Sequence, residues 1–411
     1  MITPSTVWGI STCWRVLTLA CLCLWPQNFS TAQDLAARIR PLYGKTVSGN
    51  LQSLNAEGFI QLENNPEIAW DAIRSIEFPQ RRKTAASEEW TLRLVAGGQL
   101  FSAKPPLFDG ETVVVTSTHG QLSLPIEQVE GWVRKSWFDD HPETNIPGSS
   151  LDEDLFVIDV EGQPQTLPGL LEAIEENKII FSFEGETREL PIDRIQYVGM
   201  ASAGLIQPPT GSLVTLTDES RILGELTGWN PQTLSLDLAG LAELELPSSK
   251  IKSIQNRNDR MMFLSDVDPE SATITGLLLP ARPWRRNLTV DGQPLTLQSA
   301  GSRSKFQTFE KGLGIPSDGI LTFPATSYDR FLATACLDPA KRGAGDCEIE
   351  ILLDGESVFQ QRLYRESPVA EIDIELGKAN QITLHVKAGE KLDLADHVNW
   401  CDARLVKVST P

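Results

Sequence analysis

The residues best suited to ligand chemistry crowd into one segment near the end of the chain, ADHVNWCDARL from Ala395 to Leu405. The sequence predicts a polar loop that runs into a closing strand. Sugars offer C–H faces that stack on aromatic rings, and hydroxyls that pair with amide, guanidinium and imidazole groups. We therefore predict a carbohydrate contact made by His397, Asn399, Trp400 and Arg404. The alternative for Trp400 is a wedge in the core.

Three carboxylates of the same region, Asp393, Asp396 and Asp402, predict a structural calcium site. Ca²⁺ takes about six to eight oxygen ligands from carboxylates and carbonyls. The spacing matches no EF-hand loop. Asp396 and Asp402 can instead fix turns by accepting hydrogen bonds from backbone N–H groups, and both interpretations stay open.

Catalytic motifs are absent from the sequence. The four histidines are scattered, and no GxSxG, HExxH, Walker A or GxGxxG pattern occurs. We predict a protein without catalytic activity. The net charge of −19 also excludes nucleic acid as a partner, because phosphates require clustered Lys and Arg.

Residues 1–32 have the pattern of a secretory signal peptide. An apolar run from Val16 to Trp25 follows Arg15, and Ser30-Thr31-Ala32 offers small residues for cleavage. The alternative is a lipoprotein signal at Cys21. We predict a secreted, periplasmic or cell-surface protein with no transmembrane segment after cleavage.

Residues 40–257 contain four similar stretches, about 55 to 65 residues apart. Repeats 1 and 2 occupy 40–138 and repeats 3 and 4 occupy 155–257, with a polar linker at 139–154. Their ends carry apolar residues three apart, at Ile73/Ile76, Val129/Trp132, Ile195/Val198 and Ile251/Ile254. The spacing of strands and glycines resembles SH3-like or Sm-like small barrels. The alternative is a plain antiparallel meander.

Residues 260–411 predict a β-sandwich of the jelly-roll type. Apolar and polar residues alternate strictly in several short runs, such as Ile382 to Lys387, and turns of Gly, Asp and Pro separate them. The fold class predicted for the whole chain is therefore all-β, with tandem barrel-like repeats before a sandwich.

A series of motifs in this last domain resembles the NPCBM family. FLSDVDP, PWRRN, DGQPLTL, FEKGLG, YDRFLATACLD, CEIEILLDGESV and ADHVNWCDARL follow one another in the family's order. The resemblance implies a β-sandwich, sugar binding and a structural calcium ion. The whole arrangement is similar to large exported protein families of planctomycete-type bacteria. One departure is Ile315-Pro316-Ser317 after the KGLG turn, where members often carry His-Ser.

The cysteines that follow the signal peptide are Cys336, Cys347 and Cys401, which allow one disulfide and one free thiol. Cys336 and Cys347 flank one loop and could close it, or all three could be buried thiols. The family resemblance adds a third pairing, Cys336–Cys401, because members usually carry glycine where Cys336 stands.

Two functions follow from the sequence. The first is an exported glycan-recognition protein whose sandwich binds carbohydrate. The second is a structural or protein-interaction protein of the cell envelope, with envelope proteins as partners, whose sandwich no longer binds sugar.

Overall fold

The computed structural model describes residues 36–54, 58–63, 66–85, 89–95, 98–140, 152–201, 210–276, 282–298, 306–341, 345–389 and 396–408. The predicted signal peptide, residues 141–151 of the predicted linker, and Asp393 lie outside these ranges. Within them the protein is all-β, apart from one short helix and several 3₁₀ turns. No helix in the described part is long and apolar enough to cross a membrane.

Residues 36–257 form four successive units of antiparallel strands. Unit 1 contains β1 (Ala36–Pro41), β2 (Val47–Leu54), β3 (Phe59–Leu62), β4 (Ile68–Ala69) and β5 (Ile73–Glu77). Unit 2 contains β6 (Trp90–Leu94), β7 (Gln99–Ser102), β8 (Leu107–Phe108), β9 (Thr112–Ser117), β10 (Gly120–Pro125) and β11 (Val129–Arg134), followed by the helix α1 (Lys135–Asp140). Unit 3 contains β12 (Asp154–Val160), β13 (Gln163–Ile174), β14 (Lys178–Phe183), β15 (Glu186–Pro191) and β16 (Ile195–Gly199). Unit 4 contains β17 (Gly211–Leu216), β18 (Arg221–Trp229), β19 (Thr233–Asp237), β20 (Glu243–Pro247) and β21 (Ile251–Arg257).

Each unit has the same connectivity: its first strand pairs with both its second and its last. A 3₁₀ turn of three residues precedes every last strand. In units 2 to 4 this turn follows Pro125, Pro191 and Pro247, where the fixed backbone angle of proline favours the end of a strand. The repeated Leu-Pro of the sequence therefore marks one topological position.

A β-bulge explains the apolar residues that lie three apart in each repeat. Strict alternation would put Ile73 and Ile76 on opposite faces of β5. The register between β1 and β5 shifts by one residue at this point, so Ile73 pairs with Pro41 and Ile76 with Ile39. Both isoleucines are therefore buried in the core. The same shift occurs in the last strands of the other three units.

The last strands also join the units in two pairs. In the inner pair, units 2 and 3 meet through β11 and β16, where Trp132 pairs with Val198. In the outer pair, units 1 and 4 meet through β5 and β21, where Ile76 pairs with Ile254. Corresponding positions of two repeats thus face each other, and one continuous hydrophobic core runs through all four units.

Residues 261–406 form the C-terminal sandwich. Its strands are β22 (Met261–Phe263), β23 (Ser271–Ile274), β24 (Arg285–Arg286), β25 (Leu295–Gln298), β26 (Phe306–Phe309), β27 (Gly312–Ile315), β28 (Gly319–Pro324), β29 (Arg330–Leu337), β30 (Cys347–Leu353), β31 (Glu356–Leu363), β32 (Val369–Glu375), β33 (Gln381–Ala388) and β34 (Val398–Val406).

Two antiparallel sheets enclose the sandwich core. The front sheet has the order β24-β27-β34-β29-β32, with β22 also paired to β34, and the back sheet has the order β23-β28-β33-β30-β31. The predicted alternation is visible in β33, where Ile382, Leu384 and Val386 point into the core. The hairpin β25–β26 covers the outer face of the front sheet through a small cluster around Leu295. Strand β34 is therefore covered on both faces.

Candidate ligand site at the loop end of the sandwich

The predicted polar loop Ala395–Leu405 is for the most part a strand. Residues 398–406 form β34, at the centre of the front sheet between β27 and β29. Asp402, with φ +58°, lies where the pairing with β29 shifts register. Because of this shift, Trp400 and Ala403 both belong to the sandwich core. The prediction of a loop was wrong because it overlooked this bulge in a buried strand.

Trp400 and Asn399 are both inaccessible, which corrects the prediction that they contact sugar. Trp400 is 0% exposed and lies in the core beside Leu313 and Ala335. Asn399 is fully buried under the hairpin, where its Nδ2 donates to the carbonyl of Thr296. A buried ring cannot stack on a sugar, so Trp400 matches the core interpretation.

Asp402 and Arg404 lie at the contact between the sandwich and unit 1. The guanidinium of Arg74 on β5 donates to both carboxylate oxygens of Asp402, at 2.5 Å each. Arg404 Nη1 donates to one of the same oxygens at 2.7 Å. Asp402 therefore joins two parts of the chain that are far apart in sequence.

Asp396 is fully buried and binds backbone N–H groups. Its Oδ1 accepts from the N–H of Asp346 at 2.7 Å and its Oδ2 from the N–H of Gly389 at 3.2 Å. The oxygens of Asp396 and Asp402 are thus already engaged within the protein. Asp396 thus matches the alternative of a carboxylate that binds backbone N–H groups, and the calcium site predicted at Asp393, Asp396 and Asp402 stays a prediction.

A different polar cluster lies at the loop end of the sandwich, at Asp291, Asp338 and His397. Asp338 directly follows β29 and His397 directly precedes β34. These strands are antiparallel neighbours, so their ends meet, and the N–H of Asp338 donates to the carbonyl of His397 at 2.9 Å. Asp291 joins them from the loop between β24 and β25. One ligand atom from each of the three side chains lies within 4.8 Å of the others.

Burial controls the charge of this cluster. Desolvation, assisted by the nearby Lys341, lowers the pKa of His397 to about 4, so the imidazole is neutral at pH 7. Desolvation raises the pKa of Asp338, which is only 2% exposed. The hydrogen bond from Lys341 Nζ, 2.5 Å from Asp291 Oδ2, is the main cause that lowers the pKa of Asp291. Arg282 also pairs with Asp291.

Two buried atoms of the cluster lack partners within the described ranges: Asp338 Oδ2 and His397 Nδ1. An unsatisfied buried polar atom is costly, and in native proteins it usually indicates water, an ion or a ligand. The carboxylates can accept hydrogen bonds from hydroxyls, and Lys341 and Arg282 can donate them. The cluster therefore offers both donors and acceptors to a polyhydroxylated molecule.

Of the predicted site residues that the structure describes, His397 alone belongs to this cluster. Sequence reasoning missed Asp291 and Asp338, which sit in the turn sequences VDGQP and LDPAK. Aspartate in such turns usually caps the local backbone. One signal was available. Asp338 directly follows a strand, and that strand lies beside the one that begins after His397.

Cys336, Cys347 and Cys401, the cysteines in the described ranges, are free and buried. Cys347 faces the sandwich core, whereas Cys336 and Cys401 face the opposite side of the front sheet, under the hairpin. The predicted loop-closing disulfide Cys336–Cys347 is therefore not formed, because a sheet separates the two thiols. Cys336 and Cys401 are adjacent, and the hydrogen bond between them, followed by burial, raises the pKa of Cys401.

Comparison with known families gives a match over the sandwich. Residues 260–406 match the NPCBM/NEW2 domain. The chain thus carries an NPCBM/NEW2 domain after its four units. No curated protein matches the chain.

Solved structures that resemble the chain include carbohydrate-binding modules of the CBM51 type. One contains CBM51-2, in complex with GlcNAc, and the INT domains of Clostridium perfringens ZmpB, at 22% identity and a TM-score of 0.33; the match covers 43% of this chain and 36% of that one. Another is CBM51 from Clostridium perfringens GH95 with methyl-galactose, at 22% identity and a TM-score of 0.32, covering 36% of this chain and 99% of the other. A third holds the tandem CBM51 modules of a Streptococcus pneumoniae family 98 glycoside hydrolase, at 21% identity and a TM-score of 0.32, covering 37% and 48%. The chain thus spans about a third of the ZmpB structure.

Proposed function

We propose that this protein is an exported glycan-recognition protein without catalytic activity, and that a sugar binds at the exposed Asp291, which the buried Asp338 and His397 support from beneath. The observation that carries the proposal is the cluster at the loop end of an NPCBM/NEW2 domain, where Asp291, Asp338 and His397 each bring one polar atom within 4.8 Å of the others, and where Asp338 Oδ2 and His397 Nδ1 lack partners within the described ranges. Sugar hydroxyls donate and accept hydrogen bonds at once. They would bind Asp291 and the adjacent Lys341 and Arg282 without bringing a further charge into the site.

The positive groups next to the cluster support this assignment. Lys341 and Arg282 hold Asp291 in place and keep donors pointing at the cluster. The neutral imidazole of His397 can accept from a hydroxyl through one nitrogen and donate through the other. A sugar would thus meet fixed groups, and less conformational entropy would be lost on binding.

Calcium, which the family resemblance implies, fits this cluster poorly. Ca²⁺ selects oxygen ligands, whereas one donor here is an imidazole and the exposed carboxylate is already paired with two cations. Asp396 and Asp402 are engaged elsewhere. We expect EDTA to leave the melting temperature of the protein unchanged. A drop on chelation that added Ca²⁺ reverses would assign calcium a structural role.

A glycan array probed with the full mature chain tests the sugar proposal. Asp338→Asn and His397→Gln should weaken binding of any retained glycan by about tenfold or more, the effect of one lost charge-assisted or buried hydrogen bond. Asp268→Asn is the matched control, because its side chain is 94% exposed on the same sandwich. Retention that survives both cluster substitutions would place the sugar elsewhere.

The second function, a structural or protein-interaction role in the cell envelope, is supported by a specific observation. Four of the residues in the family's signature segment are engaged inside the protein: Asn399 and Trp400 by burial, Asp402 by its ion pair with Arg74 of unit 1, and Arg404 by its ion pair with Asp402. A blank glycan array together with recovery of one envelope protein after cross-linking in cells would favour this role. Cell fractionation tests export itself.

A further inference from the structure

A cleft rich in arginine lies where unit 1 meets the sandwich. Its volume is about 450 Å³, within the usual range for small-molecule sites. Arg38 and Arg40 reach it from β1, where they alternate with the buried Ala37 and Ile39. Arg74 from β5 and Arg404 from β34 complete the set. The two parts of the chain therefore build the cleft jointly, and we name it the arginine cleft.

The charges in the arginine cleft do not balance. Arg74 and Arg404 share the single carboxylate of Asp402, and Arg40 pairs with Glu77 at 3.1 Å. Arg38 is exposed and makes no ion pair within the described ranges. Four guanidinium groups against two carboxylates leave a local excess of two positive charges, in a protein whose net charge is −19.

One buried group in the cleft is also incompletely satisfied. Arg404 Nε has no hydrogen-bond acceptor in the part of the chain that the structure describes. Desolvation is the main cause that lowers the pKa of Arg404 to about 10, and the neighbouring Arg74 and Arg40 lower it further. A bound anion would relieve the repulsion among the arginines.

We propose that the arginine cleft binds the carboxylate or sulfate group of an acidic polysaccharide. Guanidinium groups match planar and tetrahedral oxyanions through paired hydrogen bonds. The volume exceeds what a single small anion needs, so a sugar ring enters together with its charged group. Gln307, on the hairpin side of the cleft, offers an amide to the ring hydroxyls. This site is separate from the loop-end cluster and does not depend on it.

Isothermal titration calorimetry of the full mature chain with trigalacturonate tests the proposal, with galactotriose as the neutral ligand of equal length. Arg38→Ala should weaken trigalacturonate binding by about tenfold, and Arg38→Lys should weaken it less. The matched control is Arg188→Ala, which removes one exposed arginine on β15 of unit 3. Because Arg38 is exposed and unpaired within the described ranges, its substitution should leave the melting temperature unchanged.

Four results with the sugar ligands would overturn the assignment. They are no binding of trigalacturonate, equal binding of galactotriose, an equal loss in Arg188→Ala, and a loss of binding in Asp338→Asn. Inorganic sulfate titrated alone separates the two sources of the anion. If sulfate binds as tightly as trigalacturonate, the cleft is a site for free anions, and the proposal of a polysaccharide ligand is refuted.

Discussion

Trp400→Ala should destabilise the sandwich severely. The indole is 0% exposed at the centre of the front sheet, between β27 and β29. A buried tryptophan removes roughly 150–250 Å² from water, and at about 25 cal/mol per Å² this corresponds to roughly 4–6 kcal/mol. Part of this area is already buried in the unfolded chain, and alanine retains a little of it. We expect a loss of about 3–5 kcal/mol, the range measured for such truncations.

Differential scanning calorimetry of the full mature chain is the assay. A loss of about 3–5 kcal/mol should lower the melting temperature of the sandwich by roughly 6–20 °C. Trp284→Ala is the control, because Trp284 is only half-buried at the edge of the same core. A melting curve unchanged by Trp400→Ala, with glycan retention abolished, would show instead that the ring contacts sugar.

Three further predictions concern the charge and backbone of the sandwich. Since the pKa of His397 is lowered to about 4 from its ordinary value of 6.5, the unfolded state takes up the proton first as pH falls. Stability should therefore rise with pH between those two values, by up to roughly 3 kcal/mol, and urea titrations of His397→Gln should lack this part of the slope. A double-mutant cycle of Arg74→Ala and Asp402→Asn, followed by chemical denaturation, should give a coupling free energy of about 1.5–3 kcal/mol between the two residues. Additive effects would mean that the ion pair contributes nothing to stability. Asparagine is used because it tolerates the positive φ of residue 402. Gly312→Ala should lower the melting temperature more than Gly355→Ala. A Cβ at Gly312 would lie 2.3 Å from the carbonyl oxygen of Trp400, whereas one at Gly355 would meet open space. Equal losses would show that the positive φ of both glycines, and not this clash, determines the effect.

The repeats and the sandwich could be predicted because alternation and spacing are local properties of the sequence. Ile73 and Ile76 showed a regular spacing of three, yet the bulge that gives this spacing its meaning is visible only in the pairing with β1. The site was harder to predict. Trp400 and Asp402 looked like ligand residues because composition does not reveal which face of a strand is covered. Here a second sheet and a hairpin cover both faces of β34.

Contacts between distant parts of the chain lay furthest from prediction. Asp338 meets His397 only because β29 and β34 are neighbours, and Arg74 meets Asp402 only because unit 1 docks on the sandwich. No periodicity in a single sequence encodes either encounter. The same holds for the arginine cleft, whose four arginines come from three strands.

Along the sequence, the paired units 2 and 3 lie between the paired units 1 and 4. This nesting sets an order of events during folding. Units 2 and 3 are consecutive, so β11 finds β16 soon after both have been synthesised. Strand β5 must wait for β21, which emerges much later. Until then it exposes an unpaired edge, the kind of surface on which chains aggregate. Arg74 and Glu77 on β5 are charged residues of the type that protects such edges. Truncation within unit 4 should thus harm the first unit of the chain more than the two units in between.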